Sequence, residues 1–222
     1  MNAALNIDRP WVRMPLAACS RVLSWAINKP GFASAPAISW REVRNKDLTP
    51  DLDVTAWLQN ALVERGTPDD VCFLTSRDVR RIFDISITEG DTTVRAVATV
   101  GLSNAEAVGT RLDRSGKNWD APGLGTINVA VETGAALSDA AMIEALSIAA
   151  QARTAAVIEG GHSLPTGVAT GTGTDCIAVA APPGDVAYAG LHTDLGLAIG
   201  RAVKTAVAQG AADWIASYGQ GI

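Results

Sequence analysis

Apolar and polar positions follow one another along this chain in a pattern that changes period several times, and each change predicts an element. In the first forty-odd residues the short runs "WVRMPL", "RVLSWAI" and "PAISWREV" read as strands, broken by "NKPGF", where Pro30 and Gly31 must turn the chain. From Asp53, the residues Val54, Trp57, Leu58, Ala61 and Leu62 recur at helical spacing as far as Gly66, a natural end signal. That spacing predicts an amphipathic helix lying on a sheet. "VCFLTS" reads as another strand. Phe83, Ile85 and Ile87 then alternate with Asp84 and Ser86, and Val94, Ala96, Ala98 and Val100 alternate beyond "EGD". Period-two patterning on both sides of a short turn predicts an antiparallel hairpin.

Residues 111–125, "RLDRSGKNWDAPGLG", are polar and aperiodic, and predict a long surface loop of the kind that carries binding or gating roles. "TINVAVETG" follows as a strand. The longest helix comes next, with Ser138 as N-cap, Asp139 at its positive start and Met142, Ala145, Leu146, Ala149 and Ala156 as its buried stripe. "CIAVAAP" makes a last strand, and a final helix turns Leu195, Ile199, Ala202, Val203 and Ala206 inward. Together these elements predict one α+β domain over residues 1–222. Its mixed sheet contains an antiparallel hairpin and is covered by three or more helices. Trp11, Trp25 and Trp40 read as core or sheet packing.

With 222 residues, 48% hydrophobic and 18% charged, and a net charge of -5, the chain has the composition of a soluble globular protein. It has no basic stretch suited to nucleic acid. Its start lacks both a basic cluster and an apolar core, and no window reaches the ~18 apolar residues of a membrane span. A cytoplasmic protein with no membrane partner is expected. Cys19, Cys72 and Cys176 lie far apart without metal or redox spacing, which fits a reducing compartment.

Candidate chemistry concentrates in four stretches of similar make-up, namely "VGLSNA" at 100–105, "GTINVA" at 125–130, "ATGTGTD" at 169–175 and "AGLHTDLG" at 189–196. Each couples glycine with small polar side chains where backbone can approach a ligand and offer N–H donors. Singly they read as tight turns with threonine caps; together they favour a shared site. None is a P-loop or a GxGxxG fingerprint. Asp175 would either act as a base or cap its own turn. Thr172 and Thr174 offer hydroxyls beside it, and Asn104 and Asn128 offer amides suited to an oxyanion. Ser103, Gly125, Thr126, Gly171 and Gly173 complete the small-residue set, and His192 precedes a helix start. His162 and His192 lack zinc-site spacing, so no metal is expected. A serine triad from Ser103 or Ser163 with a histidine and Asp139 or Asp175 lacks a GxSxG elbow. Lys117 and Trp119 in the long loop would be solvated or would close over a bulky ligand.

The ordered set "RVLSWAINKPGF", "LTSRDV", "VGLSNA", "GTINVAV", "LSDAAMIEA", "QARTAAV", "ATGTGTDCIAVA" and "YAGLHTDLGLAIGRAV" resembles the adenosylcobinamide amidohydrolase family of corrinoid salvage. The resemblance implies hydrolysis of the amide joining the aminopropanol arm to the corrin ring of adenosylcobinamide, giving adenosylcobyric acid. Some relatives also act on complete cobamides such as pseudocobalamin. It implies a cobalt-containing corrinoid as substrate rather than as cofactor, and leaves homo-oligomer formation open. The alternative is a corrinoid-binding protein without catalysis. Two departures stand out. Asn28 is followed by Lys29, Pro30 and Gly31 where relatives carry Asn-Gly-Gly, and Arg153 replaces a common lysine. Asn28 remains a substrate-binding candidate, and Arg153, if it touches substrate, brings a bidentate geometry that lysine lacks.

Overall fold

The computed structural model describes residues 3–17, 20–44, 47–116 and 125–218. In chain order, β1 (Asn6–Asp8) and β2 (Trp11–Pro15) form a ribbon, β3 (Arg21–Ser24) and β4 (Gly31–Ser34) another, and β5 (Ala37–Glu42) follows. α1 (Val54–Glu64) leads to β6 (Val71–Thr75), and then come the hairpin β7 (Ile82–Glu89) and β8 (Thr92–Thr99) and the short β9 (Ala105–Glu106). β10 (Asn128–Thr133) and α2 (Asp139–Glu159) precede β11 (Ser163–Leu164), β12 (Gly167–Val168) and β13 (Gly171–Thr172). β14 (Cys176–Ala181) and α3 (Asp194–Tyr218) complete the chain.

These elements stack in layers around two mixed sheets, ordered β1-β2-β5-β6 and β4-β3-β14-β10-β8-β7. The content is α+β, with three helices among the described residues. The two sheets replace the single sheet that patterning suggested. In the larger sheet Val129, Val131, Ile177 and Val179 face α2 and α3, while Ala130, Ala178 and Ala180 face the smaller sheet. The alanines let Met14, Trp40 and Phe73 of the smaller sheet come close, with Trp40 and Phe73 packed edge to face at 5.2 Å. α1 covers the far side of the smaller sheet through Leu58 and Leu62, beside Trp11 and Cys72.

Helix boundaries obey local chemistry. Ala56 N donates to Asp53 at the start of α1, Ala141 N donates to Ser138 at the start of α2, and Gly66 takes a positive φ of 74° beyond α1. Contrary to the expectation from the sequence, α2 is long and apolar enough to cross a membrane by length and composition. Its Ala145, Ala149, Ala152 and Ala156 are instead buried in the same core as Ala202 and Ala206 of α3. Residues 111–116 carry no regular structure. Lys117 and Trp119, like Cys19, lie outside the described residues.

Register determines where functional groups gather. β10 runs parallel to β14 with Asn128 opposite Cys176, and antiparallel to β8 with Asn128 opposite Thr99. The end of β8 and the starts of β10 and β14 therefore share one edge, and three of the four glycine-bearing stretches emerge there.

Candidate active site

Backbone hydrogen bonds lace these three bends together. β13 pairs with β9, setting Thr172 opposite Ala105. Gly173 N donates to Asn104 O at 3.1 Å, Gly101 N to Thr126 O at 3.1 Å and Cys176 N to Ile127 O at 3.0 Å. The glycines serve this close approach. A Cβ at Gly101 would sit 2.5 Å from Gly125 Cα, and one at Gly171 would strike Arg153 Nη1 and Asp175 Oδ2. Glycine at 101, 125 and 171 is therefore required by packing, whereas Gly173 has only an ordinary 3.5 Å neighbour in Asn104.

Beside the bends lies a cavity of about 420 Å³. Trp25, Ile27, Val43, Leu48 and Leu74 form an apolar wall; Ser103, Asn104, Thr126, Asn128, Thr174 and Asp175 bring polar groups. This combination of apolar walls and a few convergent polar groups is typical of small-molecule sites. Among the described residues, no three His, Cys, Asp or Glu side chains gather in a way that could hold a metal ion.

Asp175 is the buried anchor, and its two carboxylate oxygens accept four protein hydrogen bonds. Oδ1 receives Ile127 N at 3.2 Å and the Thr172 hydroxyl, and Oδ2 receives Thr172 N at 3.0 Å and Arg153 Nη1. Burial pushes the carboxyl above the ordinary aspartate value, opposed by the Arg153 charge and by the Thr172 and Ile127 bonds. Arg153 also donates to Thr170 O at 3.3 Å, so its guanidinium ties the "ATGTGTD" bend to α2.

A chain of hydroxyls runs outward from this pair. Thr172 Oγ1 lies 3.1 Å from Thr126 Oγ1, Thr174 Oγ1 lies 2.9 Å from Thr126 Oγ1, and Asn104 Nδ2 donates to Thr174 Oγ1 at 3.2 Å. Each hydroxyl has one hydrogen to give. Because an ionised carboxylate only accepts, Thr172 directs its hydrogen to Asp175; Thr126 must then donate to Thr172, and Thr174 to Thr126. All three protons point toward Asp175.

The other candidates sort by position. Ser103 lines the cavity, and its Oγ accepts from Gly125 N at 3.2 Å. Asn128 lines it too, but Nδ2 is committed to Leu74 O at 2.8 Å, and among the described residues the buried Oδ1 has no hydrogen-bond partner. Since a carbonyl can only accept, this orients the amide and makes Asn128 an unfilled acceptor, better suited to a substrate N–H than to an oxyanion. Asn28 is a strut: Nδ2 donates to Asp70 O at 2.9 Å and Oδ1 accepts from Cys72 N at 3.0 Å. His192 stands exposed in the turn before α3, outside the cavity lining. His162 packs edge-on against Trp214 and Asp139 pairs with Arg21, so the triad pieces do not assemble. Cys72 and Cys176 line the cavity, but burial raises both thiols, Cys176 to about 12, which leaves neither as a ready thiolate.

Two residues carry more here than the sequence assigned them. Trp25, expected in the core, is 45% exposed on the cavity wall and donates its indole N–H to Asp175 O at 2.7 Å. Arg153 is the one basic residue in α2, set among alanines, and a lone cation on an apolar helix face signals a buried acid nearby.

A family model described as adenosylcobinamide amidohydrolase matches residues 3–219. No curated protein matches the chain. Among solved structures, the PH0078 protein from Pyrococcus horikoshii OT3 is similar at 13% identity over 90% of this chain and 76% of that one. Its TM-score is 0.44. With the family match spanning nearly its whole length, this chain belongs to the adenosylcobinamide amidohydrolase family.

Proposed function

We propose that the protein hydrolyses the amide between the corrin ring and the aminopropanol arm of adenosylcobinamide, releasing adenosylcobyric acid and the amino alcohol. The carrying observation is the cavity in which a hydroxyl chain, anchored on Asp175, meets apolar wall and amide groups. A corrin macrocycle is larger than this space, so the side arm enters while the ring rests on the exposed Trp25 and Ile27. Amide hydrolysis needs an activated oxygen nucleophile and a proton for the leaving nitrogen. The threonine chain supports the first, and Asn128 Oδ1 is a natural acceptor for the scissile N–H. Complete cobamides such as pseudocobalamin carry the same arm, extended by a nucleotide, and are a second substrate class for this site.

The test is incubation of purified protein with adenosylcobinamide and, separately, pseudocobalamin, with products read by mass. Adenosylcobyric acid is expected from the first. Tight corrinoid binding without product would instead make the protein a binding module.

A further inference from the structure

We infer that Thr174 is the nucleophile, that the reaction passes through an ester on its Oγ1, and that Thr126 and Thr172 relay its proton to Asp175. This rests on the amidohydrolase reading and assigns the chemistry within it. A carboxylate offers about four acceptor positions, and all four on Asp175 are taken by Ile127 N, Thr172 N, the Thr172 hydroxyl and Arg153. No position remains for a catalytic water to be activated there directly. A proton can reach Asp175 only by passing along a bond already made, and the Thr172 hydroxyl is the one that leads to the cavity.

Counting donors and acceptors also distinguishes the three threonines. Thr172 Oγ1 gives its hydrogen to Asp175 and accepts from Thr126 and, at 3.4 Å, from Thr174 N, so it has no capacity left. Thr126 is buried, with its hydrogen on Thr172 and an acceptor position filled by Thr174. Thr174 is exposed on the cavity, gives its hydrogen inward and accepts one bond from Asn104 Nδ2, which leaves one lone pair open among the described residues. It is the terminus at which a carbonyl carbon can be attacked.

In the first half-reaction the Thr174 Oγ1–carbon bond forms as its proton moves to Thr126, that of Thr126 to Thr172 and that of Thr172 to Asp175. Collapse of the tetrahedral adduct breaks the C–N bond. Asp175 returns its proton through Thr172 and Thr126, which lines the cavity, to the leaving nitrogen, and the amino alcohol departs neutral. Water then adds to the ester, gives its proton to the same relay, and cleavage of the carbon–Oγ1 bond restores the Thr174 hydroxyl and frees the carboxylic acid. Thr126 and Thr172 act as carriers, and Asn104 holds the nucleophile in line.

The experiment is turnover of adenosylcobinamide by wild type, Thr174→Val, Thr174→Ser and Thr126→Val, with and without hydroxylamine. Products are read by mass, and folding is checked by thermal melting. The expected result is a drop of about 100-fold or more in kcat for Thr174→Val and Thr126→Val. Rescue by Thr174→Ser and diversion of the wild-type acyl group into a hydroxamate are expected alongside. A Thr174→Val protein that turns over like wild type, or a wild type that yields only acid at every hydroxylamine concentration, overturns the assignment while leaving the amidohydrolase reading intact. A wild type that makes no product overturns both.

Discussion

Two bends in this molecule look alike on paper and do different work. "ATGTGTD" and "AGLHTDLG" each combine glycine, threonine and aspartate. In the second, Thr193 Oγ1 donates to Gly190 O at 2.8 Å and accepts from Gly196 N at 2.9 Å, so its hydroxyl is consumed within three residues as the cap of α3. Glu144 takes Ala189 N, and Gly196 packs on the carbonyl of Gly190. In the first, Thr172 and Thr174 reach Thr126, which is 46 and 48 residues away, and Asp175 reaches Ile127 and Arg153. The contrast teaches that composition marks a tight bend, while the range of its threonine hydroxyl bonds separates a cap from a site. A threonine hydroxyl satisfied within its own bend serves as a cap; hydroxyls satisfied across the fold can be held as a fixed array.

The largest expected break comes from Asp175→Asn, which removes the proton acceptor and strands the Arg153 charge. Turnover falls to background, and because the amide sets an NH2 donor against Ile127 N or against Thr172 N and Arg153, stability falls by about 1–3 kcal/mol, measurable by denaturant titration. The pH dependence has two parts. Asp175 must be ionised to accept a proton, so the acid limb of kcat/KM lies above the ordinary 3.8. For stability, a raised folded-state pKa favours the fold fully below pH 3.8, and that contribution is lost as pH rises through the raised value. Next in size, Gly101→Ala forces a methyl against Gly125 and costs about 1–3 kcal/mol along with activity. Gly173→Ala, with an open neighbourhood, changes melting by less than about 0.5 kcal/mol.

Periodic elements were legible in the sequence for a plain reason. α1, β7 and the stripes of α2 and α3 each bury one face, so apolar spacing reports their geometry. The two-sheet stack was not legible, because β10 and β14 are buried on both faces and show no alternation to say what lies on either side. β4 was missed because its "GFAS", at the edge of the larger sheet, is mostly exposed. At the site, Ser103, Asn104, Gly125, Thr126, Asn128, Thr174 and Asp175 could be named from residue chemistry and do line one cavity. His192 and Asn28 could not be sorted from them, since helix capping and backbone bracing use the same residue types. Trp25 and Arg153 draw their importance from partners 150 and 22 residues away, which single-sequence spacing does not reveal.

The comparison is tested most directly by removing one hydroxyl from each bend without changing shape. Thr172→Val and Thr193→Val are assayed side by side for adenosylcobinamide hydrolysis and thermal melting. The expected result is a loss of about 100-fold or more in kcat for Thr172→Val. For Thr193→Val, unchanged kcat with about 1 kcal/mol of lost stability is expected. Equal activity in the two variants would contradict the account.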